Sequence, residues 1–258
     1  MNGLRHYLLA LQFFTRVPVT GALAQWAGYS PQRLRASAGH FPGVGLLVGA
    51  VAAAVYAGAA LALPATAWSP MVAAILSTAA SVWLTGAFHE DGLADLVDGL
   101  GGSPDRERAL EIMKDSRVGS FGVMALLLAV LAKVGLLAML GSLDLRLACA
   151  GLLLAHAVSR APPLLLIRLL PHVGDTATSK SKPLADQIGP RGLLCGALWV
   201  ALALAAAGTV LPGASLAAAV LGVALAGLWM GRLLWRRLQG FTGDGLGATQ
   251  QLAELACY

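Results

Sequence analysis

Apolar segments long enough to cross a lipid bilayer follow one another along almost the whole chain, and no other feature of the sequence restricts the fold as much. A transmembrane helix needs about 20 mainly apolar residues to cross roughly 30 Å of hydrocarbon. Backbone exposed to lipid must also satisfy its own hydrogen bonds, which favours helices over open strands. The sequence therefore predicts an all-α, polytopic membrane bundle with about six transmembrane helices. The predicted spans are residues 43–63, 69–88, 119–140, 147–168, 192–211 and 214–233.

The composition agrees with a protein whose surface mostly faces lipid. Hydrophobic residues make up 57% of the 258 residues and charged residues only 12%, against about 25% charged in a typical soluble domain. No hydrophilic linker separates the apolar segments, so we expect a single integral membrane domain over residues 1–258. The apolar run 7–14 is too short to span and predicts an N-terminal helix that lies in the membrane interface.

Positive charge is concentrated in alternate loops. Of the 18 Lys and Arg residues, 15 lie before the first span, between the second and third, at the exit of the fourth and in the loop after it, or after the sixth. The other loops contain a single basic residue, Arg146. Because cytoplasmic loops retain Lys and Arg, both termini and all large loops are expected in the cytoplasm. The formal charge of +5 reflects this bias and not a basic patch, so no nucleic-acid partner is expected.

Two further basic residues, Lys133 and Arg160, fall inside predicted spans. Charges there are costly and usually face the protein interior or a water-filled cavity. His156 precedes Arg160 by one helical turn and shares its face. Arg160 is therefore a candidate for substrate binding. Snorkelling or a structural ion pair would explain either residue without a functional role.

Eight of the 13 acidic residues lie between Glu90 and Asp115, and no base occurs from His89 to Asp105. Asp91, Asp95 and Asp98 share one face if the second span continues as a helix. Carboxylates this close repel one another unless a cation joins them, and oxygen ligands favour Mg²⁺ or Mn²⁺. We predict a Mg²⁺ site at these three residues. A solvated helix face is the alternative, but such faces usually alternate in sign.

Candidate anion ligands follow the acidic segment. Lys114, Ser116 and Arg117 lead into the third span, and a helix N-terminus with nearby cations attracts phosphate. A simple helix cap with positive-inside anchors is the alternative. Asp244 lies in a Gly-rich segment after the last span and is a further candidate for the site, although turn formation alone explains it equally well.

At these motifs the sequence resembles the cobalamin synthase family, the adenosylcobinamide-GDP ribazoletransferases. The resemblance covers essentially the whole chain. It is strongest in residues 89–95 (HEDGLAD) with 98–99 (DG), and in 113–119 (MKDSRVG). The opening 11–18 (LQFFTRVP) and the closing 242–248 (TGDGLGA) also resemble the family.

The resemblance implies a Mg²⁺-dependent transfer in the cytoplasmic (inner) membrane of a bacterium, with the active site on the cytoplasmic side. A hydroxyl of α-ribazole, or of its 5′-phosphate, attacks the cobinamide-side phosphorus of adenosyl-GDP-cobinamide. GMP leaves, and adenosylcobalamin or its 5′-phosphate forms. The attacking hydroxyl needs a base, and His89, Glu90 and Asp95 are all candidates, among which the sequence does not choose. A homo-oligomer is left open.

Two other functions fit parts of the pattern. CDP-alcohol phosphatidyltransferases carry D-x2-D-G-x2-A-R followed by G-x3-D-x3-D, but here Asp95 and Leu96 stand where the motif has Ala and Arg, and Ala109 replaces the last Asp. A cation or solute transporter would explain Lys133 and Arg160. Transporters usually bind near the bilayer midplane and contain internal repeats, whereas these acids lie at a membrane edge and no repeat is evident. An enzyme is the favoured interpretation.

Overall fold

The computed structural model describes residues 2–174 and 188–258, and the regular structure within them is helical. The only β pairing in these two stretches is an isolated bridge between His172 and Phe241. The predicted all-α class is therefore confirmed. The described α-helices are α1 (Asn2–Phe14), α2 (Gly21–Ala27), α3 (Pro31–Ser37), α4 (Phe41–Ala62), α5 (Ser69–Thr85), α6 (Phe88–Gly102), α7 (Arg106–Ile112), α8 (Ser120–Leu143), α9 (Leu145–Val158), α10 (Ala161–Leu169), α11 (Pro190–Ala207), α12 (Gly213–Leu238) and α13 (Gly243–Cys257).

Five described helical segments are long and apolar enough to cross a membrane, which confirms the polytopic architecture. A sixth candidate is the pair α5 and α6, which qualifies only when the two helices are taken together. The expected apolar run near the N-terminus forms α1, which is not among the candidate spans. The five segments are Pro31–Ala62, Ser120–Leu143, Leu145–Leu169, Pro190–Ala207 and Gly213–Leu238.

The second predicted span does not continue as one helix into the acidic segment, and this part of the prediction is wrong. The chain bends by 88° between α5 and α6. Gly86 and Ala87 both have left-handed backbone, with φ of 69° and 59°, and the Arg16 amide donates to the Leu84 carbonyl at 2.8 Å just before the bend. A Cβ at Gly86 would meet Arg16 Nε at 2.8 Å, so glycine avoids both this contact and the strain of a positive φ.

We treat α5 as the spanning part and α6 as lying outside the hydrocarbon. The 17 residues of α5 reach the lower limit for a transmembrane helix. The 15 residues of α6 include four acidic side chains, which would be costly in lipid.

The fourth predicted span, 147–168, is also interrupted. It consists of α9 and α10, separated at Ser159 and Arg160. Pro162 and Pro163 follow at once, and a proline has no amide to continue the hydrogen bonds of the preceding helix. This span is largely buried, whereas α8, α11 and α12 expose most of their apolar side chains. The bundle is therefore built around α9, with the other three spans facing lipid.

The last helix, α13, is inserted among α6, α9 and α12 and does not lie on the surface of the bundle. Its N-terminus touches the start of α6. An added Cβ at Gly92 would lie 3.0 Å from the Asp244 Cα and carbonyl oxygen, so only glycine allows the two backbones to come this close. This contact brings the Gly-rich segment near the C-terminus to the acidic segment.

Candidate active site

Four carboxylates from two distant parts of the chain meet where α6 and α13 touch. Asp91, Asp95 and Asp98 lie along α6, and Asp244 lies in the first turn of α13. We call these four residues the carboxylate cluster. Burial, with Asp244, Asp91 and Asp98 adding repulsion in that order, raises the pKa of Asp95 to about 7. Burial and the nearby Asp91 raise the pKa of Asp244 to about 6. Repulsion between neighbouring carboxylates therefore adds to the effect of burial in this cluster.

Asp98 has a structural partner that the sequence did not reveal. Its carboxylate accepts hydrogen bonds from the Gly119 amide at 2.7 Å and the Gly122 amide at 2.8 Å. These amides belong to the start of α8, so Asp98 satisfies donors that a helix N-terminus leaves free. An acidic residue capping a helix from about twenty positions upstream leaves no local sequence signal.

The donor chemistry of the cluster suits Mg²⁺, which takes oxygen ligands and usually binds through one or two carboxylates together with substrate phosphates. Burial is the main cause of the raised pKa values of Asp95 and Asp244, and repulsion from neighbouring carboxylates, which a cation would relieve, adds to both. The side chains as they stand do not enclose an ion: in residues 2–174 and 188–258, no three His, Cys, Asp or Glu side chains are arranged to hold a metal. The fit is thus one of charge and ligand type, and the Mg²⁺ site stays a prediction.

A polar cavity of about 270 Å³ lies beside the cluster, between α6, α7 and the start of α8. Asp98, Arg108 and Arg117 contribute to its lining. Arg117 is 87% exposed and contacts its neighbour Asp115 at 2.6 Å, so no buried partner holds it away from a ligand. Of the predicted phosphate ligands, Arg117 therefore reaches this cavity, while Lys114 and Ser116 do not line it.

His89 and Glu90 open α6 and are more enclosed than Asp95. His89 is 2% exposed, stacks on Phe41 with 5.7 Å between ring centroids, and has no partner for Nε2 among the described residues. Burial lowers the pKa of His89, so the ring is neutral at pH 7. A small apolar cavity of about 50 Å³ adjoins it, lined in part by Phe14, Phe41 and Phe88.

A chain of buried hydrogen bonds leads from Glu90 into the bundle. Gln251 Nε2 donates to Glu90 Oε1 and to Gln250 Oε1, both at 3.1 Å. Gln250 in turn donates to Glu254 Oε2 at 2.7 Å, and Glu254 pairs with Lys133 at 2.6 Å. The sequence did not reveal Glu254 as part of this network. The position of Lys133 inside a predicted span was the available signal, since an ion pair is one explanation for a charge there.

The ion pair with Glu254 explains Lys133 without a transported ion, because Glu254 neutralises its charge within the bundle.

Arg160 is 1% exposed and donates to the His156 carbonyl one turn earlier, so Arg160 and His156 do share a face as predicted. Its guanidinium also lies over the Phe41 ring, 5.3 Å from the centroid. The structure thus places Arg160 inside the bundle, separate from the exposed Arg117. Its predicted role in substrate binding stays a prediction.

Comparison with known proteins decides the family. The family model described as cobalamin-5-phosphate synthase matches residues 6–258, nearly the whole chain. The chain belongs to this family. A relative from Polaromonas sp. strain JS666, named adenosylcobinamide-GDP ribazoletransferase, is 63% identical over 98% of this chain and 95% of its own length.

Relatives with the same name extend to more distant bacteria. The protein from Albidiferax ferrireducens is 59% identical over 99% of this chain and 96% of its own length. A protein from Vibrio cholerae is 43% identical over 98% of this chain and 91% of its own length. No solved structure matches the chain. Membership in the cobalamin synthase family confirms the resemblance seen in the motifs.

Proposed function

We propose that this chain joins ribazole to adenosylcobinamide-GDP with release of GMP, and that the reaction takes place at the carboxylate cluster. Its relatives carry the name of this activity. The observation that supports the cluster as the site is the contact at Gly92, which adds Asp244 to the three carboxylates of α6. The polar cavity beside it supplies Arg117 for a phosphate group.

In this proposal Asp91 and Asp244 would hold Mg²⁺, since this ion usually binds through one or two carboxylates and the phosphates of its substrate. When bound, Mg²⁺ supplies charge neutralisation for the pyrophosphate. Asp98 keeps the start of α8 in position through the Gly119 and Gly122 amides. It is the least available of the four carboxylates for a ligand.

Asp95 is the proposed base. It is partly exposed within the cluster, whereas His89 is enclosed and one oxygen of Glu90 already accepts from Gln251. The ribazole hydroxyl oxygen bonds to the cobinamide-side phosphorus, and its proton passes to Asp95. The bond from that phosphorus to the GMP oxygen breaks, and GMP leaves with both electrons. A pKa of about 7 suits a carboxylate that must accept a proton at neutral pH.

The phenylalanine rings around the apolar cavity next to His89 suit the flat, apolar ring system of ribazole. At about 50 Å³ the cavity must widen before a two-ring system can enter. Phe14, Phe41 and Phe88 come from three different helices, so separation of these helices would open it.

The activity is tested with purified protein in lipid nanodiscs, adenosyl-GDP-cobinamide, α-ribazole and Mg²⁺, with GMP as the measured product. GMP should form only when both substrates and Mg²⁺ are present. Asp95→Asn should lower kcat by about 10²–10⁴-fold, while Asp91→Asn should raise the Mg²⁺ concentration needed for half-maximal rate. Equal GMP release without α-ribazole would show a hydrolase and contradict the transfer. Full activity of Asp95→Asn would exclude Asp95 as the base.

We further propose that the cluster faces the cytoplasm. It lies at the end of the bundle that carries most of the Lys and Arg residues, as expected for cytoplasmic loops. Glu107 is exposed on α7, in the segment that precedes α8, and Ser142 is exposed near the C-terminal end of α8. Single cysteines introduced at these two positions in a thiol-free variant should be labelled from opposite sides, with position 107 reached only from the cytoplasm. Labelling of both from one side would contradict this orientation.

A further inference from the structure

An apolar groove of about 600 Å³ runs between α10 and α12 on the outside of the bundle. Leu165 and Leu169 line one wall and Leu228 the other. Gly227 and Gly231 form part of the α12 wall, and an added Cβ would meet Pro162 at 2.8 Å and Leu166 at 3.0 Å, so both glycines let α12 pack closely against α10. Both helices belong to candidate membrane spans, so the solvent of the apolar part is lipid.

Two arginines and a tryptophan close one end of the groove. Arg232 and Arg236 are exposed and form no ion pair or hydrogen bond with any part of the chain that the structure describes. No acidic residue lines the groove. The neighbouring Arg237 differs, because it donates to the Leu100 carbonyl at 3.1 Å and the Ser103 carbonyl at 2.7 Å. Arg237 therefore holds the fold together, whereas the groove arginines have no internal function.

The charged end of the groove lies at the same end of the bundle as the carboxylate cluster. Arg236 is in the last turn of α12, and Phe241 just beyond it pairs with the chain after α10: the Val173 amide donates to the Phe241 carbonyl at 2.9 Å. Trp235 directly precedes Arg236 and also lines the groove, and tryptophan favours the level of the lipid headgroups. The apolar groove thus leads to a cationic site at the depth expected for lipid phosphate groups.

We propose that this groove binds one anionic phospholipid, with an acyl chain along the leucines and the phosphate between Arg232 and Arg236. This site is separate from the proposed transferase site and does not depend on it. A second copy of the chain fits less well, because a two-fold contact here would bring four unpaired guanidinium groups together. A free phosphate would use the arginines but leave the apolar length of the groove unused.

The proposal is tested with the full chain in nanodiscs of phosphatidylcholine and phosphatidylglycerol in equal amounts. Retained lipid is counted by native mass spectrometry after release into mild detergent. The wild type should retain one phosphatidylglycerol in preference to phosphatidylcholine. Each of Arg232→Gln and Arg236→Gln should weaken retention about fivefold, the equivalent of ~1 kcal/mol per basic residue near an anionic surface. Arg191→Gln, which removes an exposed arginine outside the groove, is the matched control and should retain the lipid.

A second pair of variants tests the apolar part. Gly231→Leu would fill the groove, and its nearest contact is the flexible end of Leu166 at 3.0 Å, which can move aside. Gly135→Leu adds the same side chain to an exposed position of α8 with open space around it. Only Gly231→Leu should lose the lipid, and glycerol phosphate should not displace it from the wild type.

Three results would overturn the proposal. Equal retention of both lipids would show no anionic preference. Displacement by glycerol phosphate would show a phosphate site without a role for the groove. Loss of a dimer in the Arg232→Gln and Arg236→Gln proteins, with lipid retention unchanged, would assign the face to a second copy of the chain. If neutral variants fold poorly, Arg232→Lys with Arg236→Lys keeps the charge and should still retain phosphatidylglycerol.

Discussion

Asp244→Asn removes one charge from the carboxylate cluster, and it should stabilise the metal-free protein while weakening its response to Mg²⁺. Burial and Asp91 raise the pKa of Asp244 from 3.8 to about 6 in the folded protein. The unfolded chain therefore releases this proton at lower pH than the folded protein. The resulting stability is fully present below about pH 4 and is lost as the pH rises through 6. Two pKa units correspond to about 3 kcal/mol, and the partial exposure of Asp244 reduces this to about 2 kcal/mol.

Thermal unfolding in detergent with a chelator, at pH 5 and pH 8, measures the effect. At pH 8 the Asn variant should unfold about 4–8 °C above the wild type, since 1 kcal/mol shifts Tm by roughly 2–4 °C in a chain of this size. At pH 5 the difference should shrink. Adding Mg²⁺ at pH 8 should raise the wild-type Tm more than that of the variant.

Glu107→Gln is the matched control, because it removes an exposed acidic charge that lies outside the cluster. It should change Tm little at either pH. If Asp244→Asn instead unfolds below the wild type at pH 8 without Mg²⁺, the carboxylates do not repel one another and the reasoning behind the cluster is wrong.

Three further substitutions separate structural from functional roles. Asp98→Asn should lower stability by about 1–2 kcal/mol even without Mg²⁺, because it weakens the cap of α8; a rise in Tm would contradict this. Lys133→Met should cost about 3–5 kcal/mol in chemical unfolding by leaving Glu254 unpaired, and a double variant with Glu254→Gln should recover part of it; no recovery would mean that the two are not coupled. Arg117→Lys should weaken binding of the nucleotide substrate about 10- to 150-fold, the equivalent of roughly 1.5–3 kcal/mol, because lysine cannot hold two phosphate oxygens in the arginine geometry. Lys114→Arg should be tolerated. Unchanged kinetics for Arg117→Lys would leave Arg117 as a topological anchor.

The helices and the spans could be predicted because lipid leaves the backbone almost no alternative. Long apolar runs must be helical wherever they meet hydrocarbon. The spacing of Asp91, Asp95 and Asp98 likewise needed only helical periodicity, and all three do lie on α6. The bend before α6 was missed because Gly86 is one glycine among many in an apolar run. Nothing local distinguishes it until Arg16 lies against it in the folded protein.

The rest of the site depends on contacts between residues far apart in the sequence. Asp244 was a weak candidate from its turn alone, and it reaches the acidic helix only because α13 inserts into the bundle. The sequence allowed an ion pair for Lys133 but did not show which acidic residue forms it, since Glu254 lies 121 positions away. The cap that Asp98 gives to α8 likewise arises from tertiary packing and not from a sequence pattern.

The position of α13 also sets when the carboxylate cluster can form during synthesis of the chain. This helix is translated after all the described spans, yet it carries both Asp244 and Glu254. Until it inserts, Lys133 remains a lone charge within α8 and the acidic helix has no fourth carboxylate. A single docking event therefore pairs Lys133 with Glu254 and completes the carboxylate cluster. A chain that fails to dock α13 lacks Asp244 in the carboxylate cluster and also carries an unneutralised charge among its spans, so one step completes both features.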